Sequence, residues 1–291
     1  MRQIRLFIFG MGYTARAFGR AMAEVAWMGG TTRTAERVER LAARHFRARI
    51  FDGDTVDPAI AGDLREATHI VVSIPPGESD PVLTHFAEAI AAAPDLKWIG
   101  YLSTVGVYGN YGGAWVSEAT TPHPKQERSV ARLKVEREWR KLALDRNTPL
   151  ATFRIAGIYG PTRNAFVNLA EGKAHRVVKP GQVFNRIHVD DIATALVAAI
   201  DKTADGTFNL ADDEPAPPQD VVAFAANLMA VAPPPEVPFA EADLSPMARS
   251  FYADNRRVEN RRMKQDLGIV LKYPTYRDGL TALWRDGTWR A

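Results

Sequence analysis

Short apolar runs recur through the first half of the chain, and stretches of helical composition separate them. IRLFIF (4–9) is a β-prone run that ends at Gly10, and YTARAFGRAMAE (13–24) follows it with helical composition. AWMGGTTR (26–33) reads as a second strand, AERVERLAARHF (35–46) as an amphipathic helix and RARIFDGD (47–54) as a third strand. HIVVSIPP (69–76) is a buried fourth strand that stops at a proline pair, because a central strand does not continue through residues lacking a backbone donor. A helix over 81–93 leads to KWIGYLST (97–104), and a charged helix over 127–145 leads to the strand LATFRIAGIYGP (150–161). Strands alternating with helices of about 10–15 residues predict an α/β fold of Rossmann type, a doubly wound, mostly parallel sheet covered on both faces.

Beyond 161 the rhythm loosens. HVDDIATALVAAI (188–200) is a helix with an apolar stripe, GTFNLAD (206–212) a strand, and EPAPPQDVVAFAANLM (214–229) a proline turn entering a helix. APPPEVPF (232–239) reads as a polyproline-like connector. The expected organisation is a nucleotide-binding Rossmann core over 1–160, with 185–212 returning to it. Residues 161–184 and 213–291 then form a smaller, C-terminal substrate-side region. Chemistry is expected in the strand-end loops, where doubly wound sheets bind ligands.

Composition removes several classes of function. The 291 residues are 46% hydrophobic and 24% charged, with a net charge of +3 and arginines scattered along the chain. No dense basic run points to nucleic acid. No stretch reaches 18 apolar residues, and the opening MRQIRLFIFGMG lacks the order of a signal peptide, so no membrane partner and a cytoplasmic location are expected. With no cysteine there is no thiolate nucleophile, disulfide or thiolate metal site. The six histidines are dispersed, and Asp52/Asp54 and Asp212/Asp213/Glu214 form no recognisable hard-ion loop, so no metal is expected.

GMGYTA (10–15) follows the first strand and opens the first helix, with Tyr13 and Thr14 at the helix start. Gly10 permits a tight turn, Gly12 lets a pyrophosphate approach the backbone, and Ala15 allows close helix–strand packing. NAD-binding sheets tend to place an acid at the end of the second strand, whereas here the residues are Thr31, Thr32 and Arg33. Hydroxyls beside a guanidinium suit a 2′-phosphate, so NADP(H) is the expected cofactor. Asp52 is placed to border the adenine, with Ser73, Ile74 and Pro75 as the floor beneath it.

GMGYTA, YLSTVGVYG (101–109), FRIAGIYGP (153–161) and NRIHVDDIA (185–193), in that order, resemble the extended or atypical short-chain dehydrogenase/reductases, within them the nucleoside-diphosphate-sugar epimerase-like group. The resemblance implies a substrate-binding hydroxyl at Thr104, with Ser103 its neighbour. It places Ile158, Tyr159 and Pro161 beside the nicotinamide. The HVDD segment supports the substrate pocket, with Asp190 or Asp191 capping its helix and Arg186 a ligand-contact candidate. It also implies a catalytic tyrosine, a lysine four residues later and a glutamate four beyond that. Glu136, followed by Trp139, matches the glutamate. Counting back, Arg132 takes the lysine position and Arg128 the tyrosine position, and no tyrosine occurs between Tyr111 and Tyr159.

Arg132 can still bind ribose or phosphate, but an arginine is no general acid–base. Tyr108 is then either a substitute proton donor or a packing residue. Two functions remain open. One is an NADP(H)-dependent oxidoreductase or epimerase-like protein working without the Tyr–Lys pair on a polar or anionic metabolite, nucleotide sugars included. Arg128, Arg132, Arg163 and Arg186 suit anionic groups. The other is a catalytically inactive NADP(H)-binding sensor. A homodimer through helix 127–145 is a further expectation, as the matching helix forms in many members of the superfamily.

Overall fold

The computed structural model describes residues 2–22, 25–43 and 46–290. In chain order its first elements are β1 (Arg2–Phe9), α1 (Tyr13–Ala21), β2 (Val25–Thr32), α2 (Ala35–Ala42), β3 (Arg47–Ile50), α3 (Ile60–Glu66), β4 (His69–Val72), α4 (Pro81–Ala91) and β5 (Trp98–Thr104). Next come β6 (Trp115–Val116), α5 (Glu127–Asp145), β7 (Leu150–Ile155), β8 (Gly157–Tyr159), α6 (Ala165–Ala170), β9 (Arg176–Val178), β10 (Arg186–His188) and α7 (Val189–Asp201). The chain closes with β11 (Gly206–Leu210), α8 (Pro218–Leu228), β12 (Glu236–Pro238), α9 (Pro246–Phe251), β13 (Arg257–Val258), α10 (Arg261–Asp266) and α11 (Tyr276–Arg285). The tails of the first two expected helices, at 23–24 and 44–45, lie outside the described residues.

Two compact units emerge. The first comprises Met1–Thr104, Glu127–Arg154 and Ala193–Phe208; the second comprises Val105–Gln126, Ile155–Ile192 and Asn209–Ala291. The first is built on a seven-stranded sheet of order β11-β7-β5-β4-β1-β2-β3. β1 pairs in parallel with both β2 and β4, β2 with β3, and β4 with β5. This is the doubly wound Rossmann arrangement, and its strand order reverses between β1 and β4. The core holds Phe7, Phe9, Phe51, Ile70, Phe86, Tyr101 and Trp139, all buried. Their rings meet at edges and tilts, such as Phe7 on Phe9 at 5.1 Å and Phe9 on Phe86 at 5.3 Å.

Several boundaries differ from the periodic reading for identifiable reasons. The fourth strand ends at Val72, short of 76: after Ser73 donates to the Phe9 carbonyl, Pro75 and Pro76 have no backbone donor to offer. Residues 150–161 form two strands, because the pairing partner changes. Ala156 donates to Leu210, whereas Gly157 donates to Asn185 and starts the β8–β10 ladder. The seven-residue α3, which buries Ile60 and Leu64, is too short to announce itself by period. The connector 232–239 contains strand β12, which pairs with β9.

The second unit carries three two-stranded parallel pairs, β8–β10, β9–β12 and β6–β13. One core gathers Tyr159, Phe166, Ala225, Tyr276, Leu280 and Leu283, and another Val177, Ala242 and Tyr252. α11 opens on a capping box in which Thr275 and Asp278 satisfy each other's backbone donors. Among the described residues no helix is long and apolar enough to cross a membrane.

Candidate functional site

In the first unit the strand-order reversal brings the ends of β1 and β4 side by side, and the glycine turn lies there. Gly10 has φ +89°, and a Cβ on it would stand 2.8 Å from Cγ1 of Ile74. Glycine is therefore required twice, by the left-handed backbone and by the close pass of the loop after β4. Gly12 is exposed, and a Cβ there would meet nothing within 4 Å. It is also the N-cap of α1 and supplies no side-chain cap, so the helix opens onto free space. Backbone amides, a helix dipole and an open face make a cradle for an anion. Tyr13 is half-buried and Thr14 buried in the first turn.

The end of β2 reinforces that turn. The buried Thr31 accepts the Gly10 amide on its hydroxyl at 2.8 Å and the Met11 amide on its carbonyl at 2.8 Å. Thr32 is buried beside it and Arg33 is exposed. A cation therefore stands at the end of β2, where an acid would select for ribose hydroxyls. Ser73 and Ile74 are half-buried and Pro75 exposed. The Asp52 carboxylate is spent on its own turn, accepting the Thr55 amide at 2.7 Å and the Asp54 amide at 3.1 Å. Those amides hold its pKa below the usual carboxylate range. His85, which the sequence pattern did not single out, reaches this loop with Nε2 2.8 Å from the Gly53 carbonyl.

At the end of β5, Ser103 is buried and donates to Oε1 of Glu136 at 2.5 Å. Glu136 in turn pairs with Arg154 of β7 at 2.8 Å, and both side chains are buried. Ser103 thus belongs to a buried ionic lock between β5, α5 and β7. Thr104 is half-buried and ends the strand. Arg132, in the lysine position, donates from Nη1 to the Leu102 carbonyl at 2.7 Å and to the Tyr101 hydroxyl at 3.3 Å. Its Nε and Nη2 have no protein partner among the described residues. Tyr101 lies flat on Trp139 at 6.2 Å, and burial pushes its hydroxyl pKa well above normal despite Arg132. It is no substitute for a tyrosinate. Arg128 is exposed on the first turn of α5.

In the second unit, Tyr108 ends a tight turn over Val105–Tyr108 and is fully buried, its hydroxyl donating to Oδ1 of Asn209 at 2.7 Å. The hydroxyl is engaged by an internal amide, the arrangement of a packing residue. Tyr108→Phe should leave any turnover intact and cost about 1–2 kcal/mol of stability, read from urea midpoints. Asp191 caps no helix. Its carboxylate accepts the amides of Lys272 at 2.7 Å and Tyr273 at 3.1 Å, tying down the segment before α11. Asp190 donates its amide to His188 Nδ1. Ile158 is half-buried on β8, and Tyr159 is buried against Gly279 with its hydroxyl donating to the Thr275 carbonyl. Arg163 is exposed. Among the described residues no cluster of three or more His, Asp or Glu could hold a metal.

The model of the NAD-dependent epimerase/dehydratase family matches residues 83–211. A solved structure of a functionally unknown conserved protein from Silicibacter pomeroyi is 44% identical over 97% of this chain and 98% of its own, with a TM-score of 0.87. UDP-glucuronic acid 4-epimerase from Bacillus cereus, in complex with NAD, is 17% identical over 96% of this chain and 95% of its own, with a TM-score of 0.77. dTDP-glucose 4,6-dehydratase from Bacillus anthracis, also with NAD, is 17% identical over 98% of both chains, with a TM-score of 0.77. A 3-diazoavenalumate denitrifying reductase from Streptomyces is 33% identical over 99 residues, and the match spans about a third of each protein, 32% in both. The epimerase/dehydratase family model thus matches the middle of the chain, and along its length the chain has the fold of solved epimerases and dehydratases.

Proposed function

We propose that this chain is an oxidoreductase or epimerase-like protein that binds a nicotinamide dinucleotide, NADP(H) in preference to NAD(H), and acts on a polar metabolite without the Tyr–Lys pair. The observation that carries the cofactor is the open face at Gly12, where a Cβ would meet nothing, at the mouth of an uncapped helix. The residues fit the group: Gly10 and Gly12 give room for the pyrophosphate, and Tyr13 and Thr14 border it. Thr32 and Arg33 face the 2′-phosphate end, and Ser73, Ile74 and Pro75 the adenine side. Arg132 offers the uncommitted N–H groups of Nε and Nη2 to ribose or to an anionic substrate group. When bound, the nicotinamide supplies hydride transfer. Thr104 supplies a hydroxyl that orients the substrate oxygen, and protons exchange with water. Losing a dedicated acid–base residue forfeits about 10²–10⁴-fold in rate, so turnover is expected to be slow.

The neighbours solved with NAD make the choice of dinucleotide a sharp test. NADPH should bind at least about tenfold tighter than NADH, the worth of one charge-assisted contact, and Arg33→Ala should erase the difference. Calorimetric titration of both cofactors checks it; equal or tighter NADH binding overturns the preference. A second reading, a sensor that binds the dinucleotide without turnover, draws on Arg128 and Arg132 in place of the proton-transfer pair. Tight binding with no oxidation of NADPH across a broad carbonyl and imine panel would select it.

A further inference from the structure

Arg186 presents a half-buried cation. It lies on β10, and its Nη1 donates to the carbonyls of Phe184 at 2.9 Å and Ala216 at 3.1 Å. Among the described residues no carboxylate forms an ion pair with it, and burial pulls its pKa below that of a free guanidinium. The half-buried guanidinium is fixed by two carbonyls on one nitrogen, which leaves its other N–H groups to offer.

Two orphaned groups are its neighbours. Tyr276 is buried with its ring centroid 5.9 Å from the guanidinium carbon, and its hydroxyl has no hydrogen-bond partner. Asp212 is 2% exposed and donates its amide to the Arg186 carbonyl at 2.7 Å. Its Oδ1 accepts the Glu214 amide at 3.3 Å, while Oδ2 has no partner. Burial pushes the Asp212 pKa up to about 8, so near neutral pH it carries a proton and does not neutralise Arg186. Native interiors rarely leave one such group unmet, and here an unpaired charge and two unmet hydroxyls adjoin. A water would serve the hydroxyls but not the charge. What completes all three is a compact, negatively charged acceptor. Asp212 also borders a cleft of about 290 Å³, which Asp213, Glu259 and Arg261 line with it.

We propose that Arg186, Tyr276 and Asp212 form an oxyanion subsite in the second unit, taking the carboxylate or phosphate group of a small metabolite. The subsite stands on the second unit alone and does not depend on the dinucleotide reading. If the protein is an oxidoreductase, the subsite assigns its substrate an oxyanion.

Side-chain NMR of the full chain, labelled with ¹⁵N-arginine, tests it. Arg186→Gln identifies the Arg186 Nε–H resonance by its loss. Native protein is then titrated at pH 7 with inorganic phosphate and, separately, with acetate, with ionic strength held constant by chloride. A saturable shift of that resonance is expected, weakened roughly tenfold in Tyr276→Phe, the worth of a hydrogen bond to a charged group. Saturation by phosphate alone assigns a phosphoester, by acetate alone a carboxylate, and by both an unselective oxyanion site. A shift that grows linearly without saturating in both titrations, or one that Tyr276→Phe leaves unchanged, overturns the proposal. Dinucleotide binding by Arg186→Gln should equal that of the native chain, which keeps this outcome separate from the cofactor's. Should Arg186→Gln not fold, Tyr276→Phe carries the test.

Discussion

Glu136→Ala is expected to lose about 3–5 kcal/mol of stability, the cost of breaking a buried ion pair from one side. Glu136 accepts from the Ser103 hydroxyl at 2.5 Å and pairs with Arg154 at 2.8 Å, with neither charged side chain more than 8% exposed. Removing the carboxylate strands a buried guanidinium on β7 and a buried hydroxyl on β5 at once. Glu136→Gln keeps an oxygen for Ser103 but not the charge for Arg154, so it should fall between native and Glu136→Ala. The double change Glu136→Leu with Arg154→Met removes both charges, and hydrophobic replacement of a whole buried pair is often neutral or stabilising. Urea midpoints of the four proteins, at unchanged denaturant slope, measure the series. A Glu136→Ala loss below about 1 kcal/mol would mean that water reaches the pair, since that is the range of exposed ion pairs.

That lock also marks how far the sequence could be read. The positions of Glu136 and Trp139 were legible from spacing along one helix, and α5 runs over the expected residues. The parallel sheet was legible because its strands are continuous apolar runs, the pattern of strands buried on both faces. The glycine turn was legible because Gly10 and Gly12 sit between a strand and a helix.

What escaped was partnership across the chain. Nothing in FRIAGIYGP says that Arg154 faces Glu136, 18 residues earlier, or that Ser103 is claimed by it. The same holds for Tyr108, whose hydroxyl meets Asn209 across 101 residues, and for Asp191, which meets Lys272 across 81. A motif lists residue types at a spacing, but whether a hydroxyl is free for chemistry depends on distant donors and acceptors that no local pattern contains. Arg132 shows the limit most directly. Its identity breaks the Tyr–Lys motif, yet only the structure gives its bond to the Leu102 carbonyl and the donors left over on Nε and Nη2.

Stability should peak near pH 6.5 and fall by about 1.4 kcal/mol per pH unit on either side, and three buried groups set that curve. His69 and His188 are 8% and 1% exposed, and burial pulls the pKa of each down to about 4. Between pH 6.5 and 4 the unfolded chain therefore binds two protons that the folded chain does not, which destabilises the fold as pH drops. Asp212 acts in the opposite sense. Its folded pKa of about 8 lies far above the unfolded value of 3.8, so from 3.8 to 8 the folded chain holds one proton more. Above 6.5 only Asp212 counts, and stability declines as pH rises to 8. Below 6.5 two histidine protons oppose one carboxyl proton, and the net single proton destabilises toward acid. Asp80 and Asp191, also raised by burial, soften the acid limb near its lower end. Asp212→Asn keeps an acceptor for the Glu214 amide and removes the ionisation, so its stability should stay flat from pH 6.5 to 8 while its acid limb steepens toward about 2.7 kcal/mol per unit. His69→Gln should halve that steepened limb when added to Asp212→Asn. Thermal midpoints at half-unit intervals from pH 4.5 to 8.5 trace both limbs. A native midpoint that keeps rising from pH 6.5 to 8 would show that Asp212 ionises freely in the folded chain.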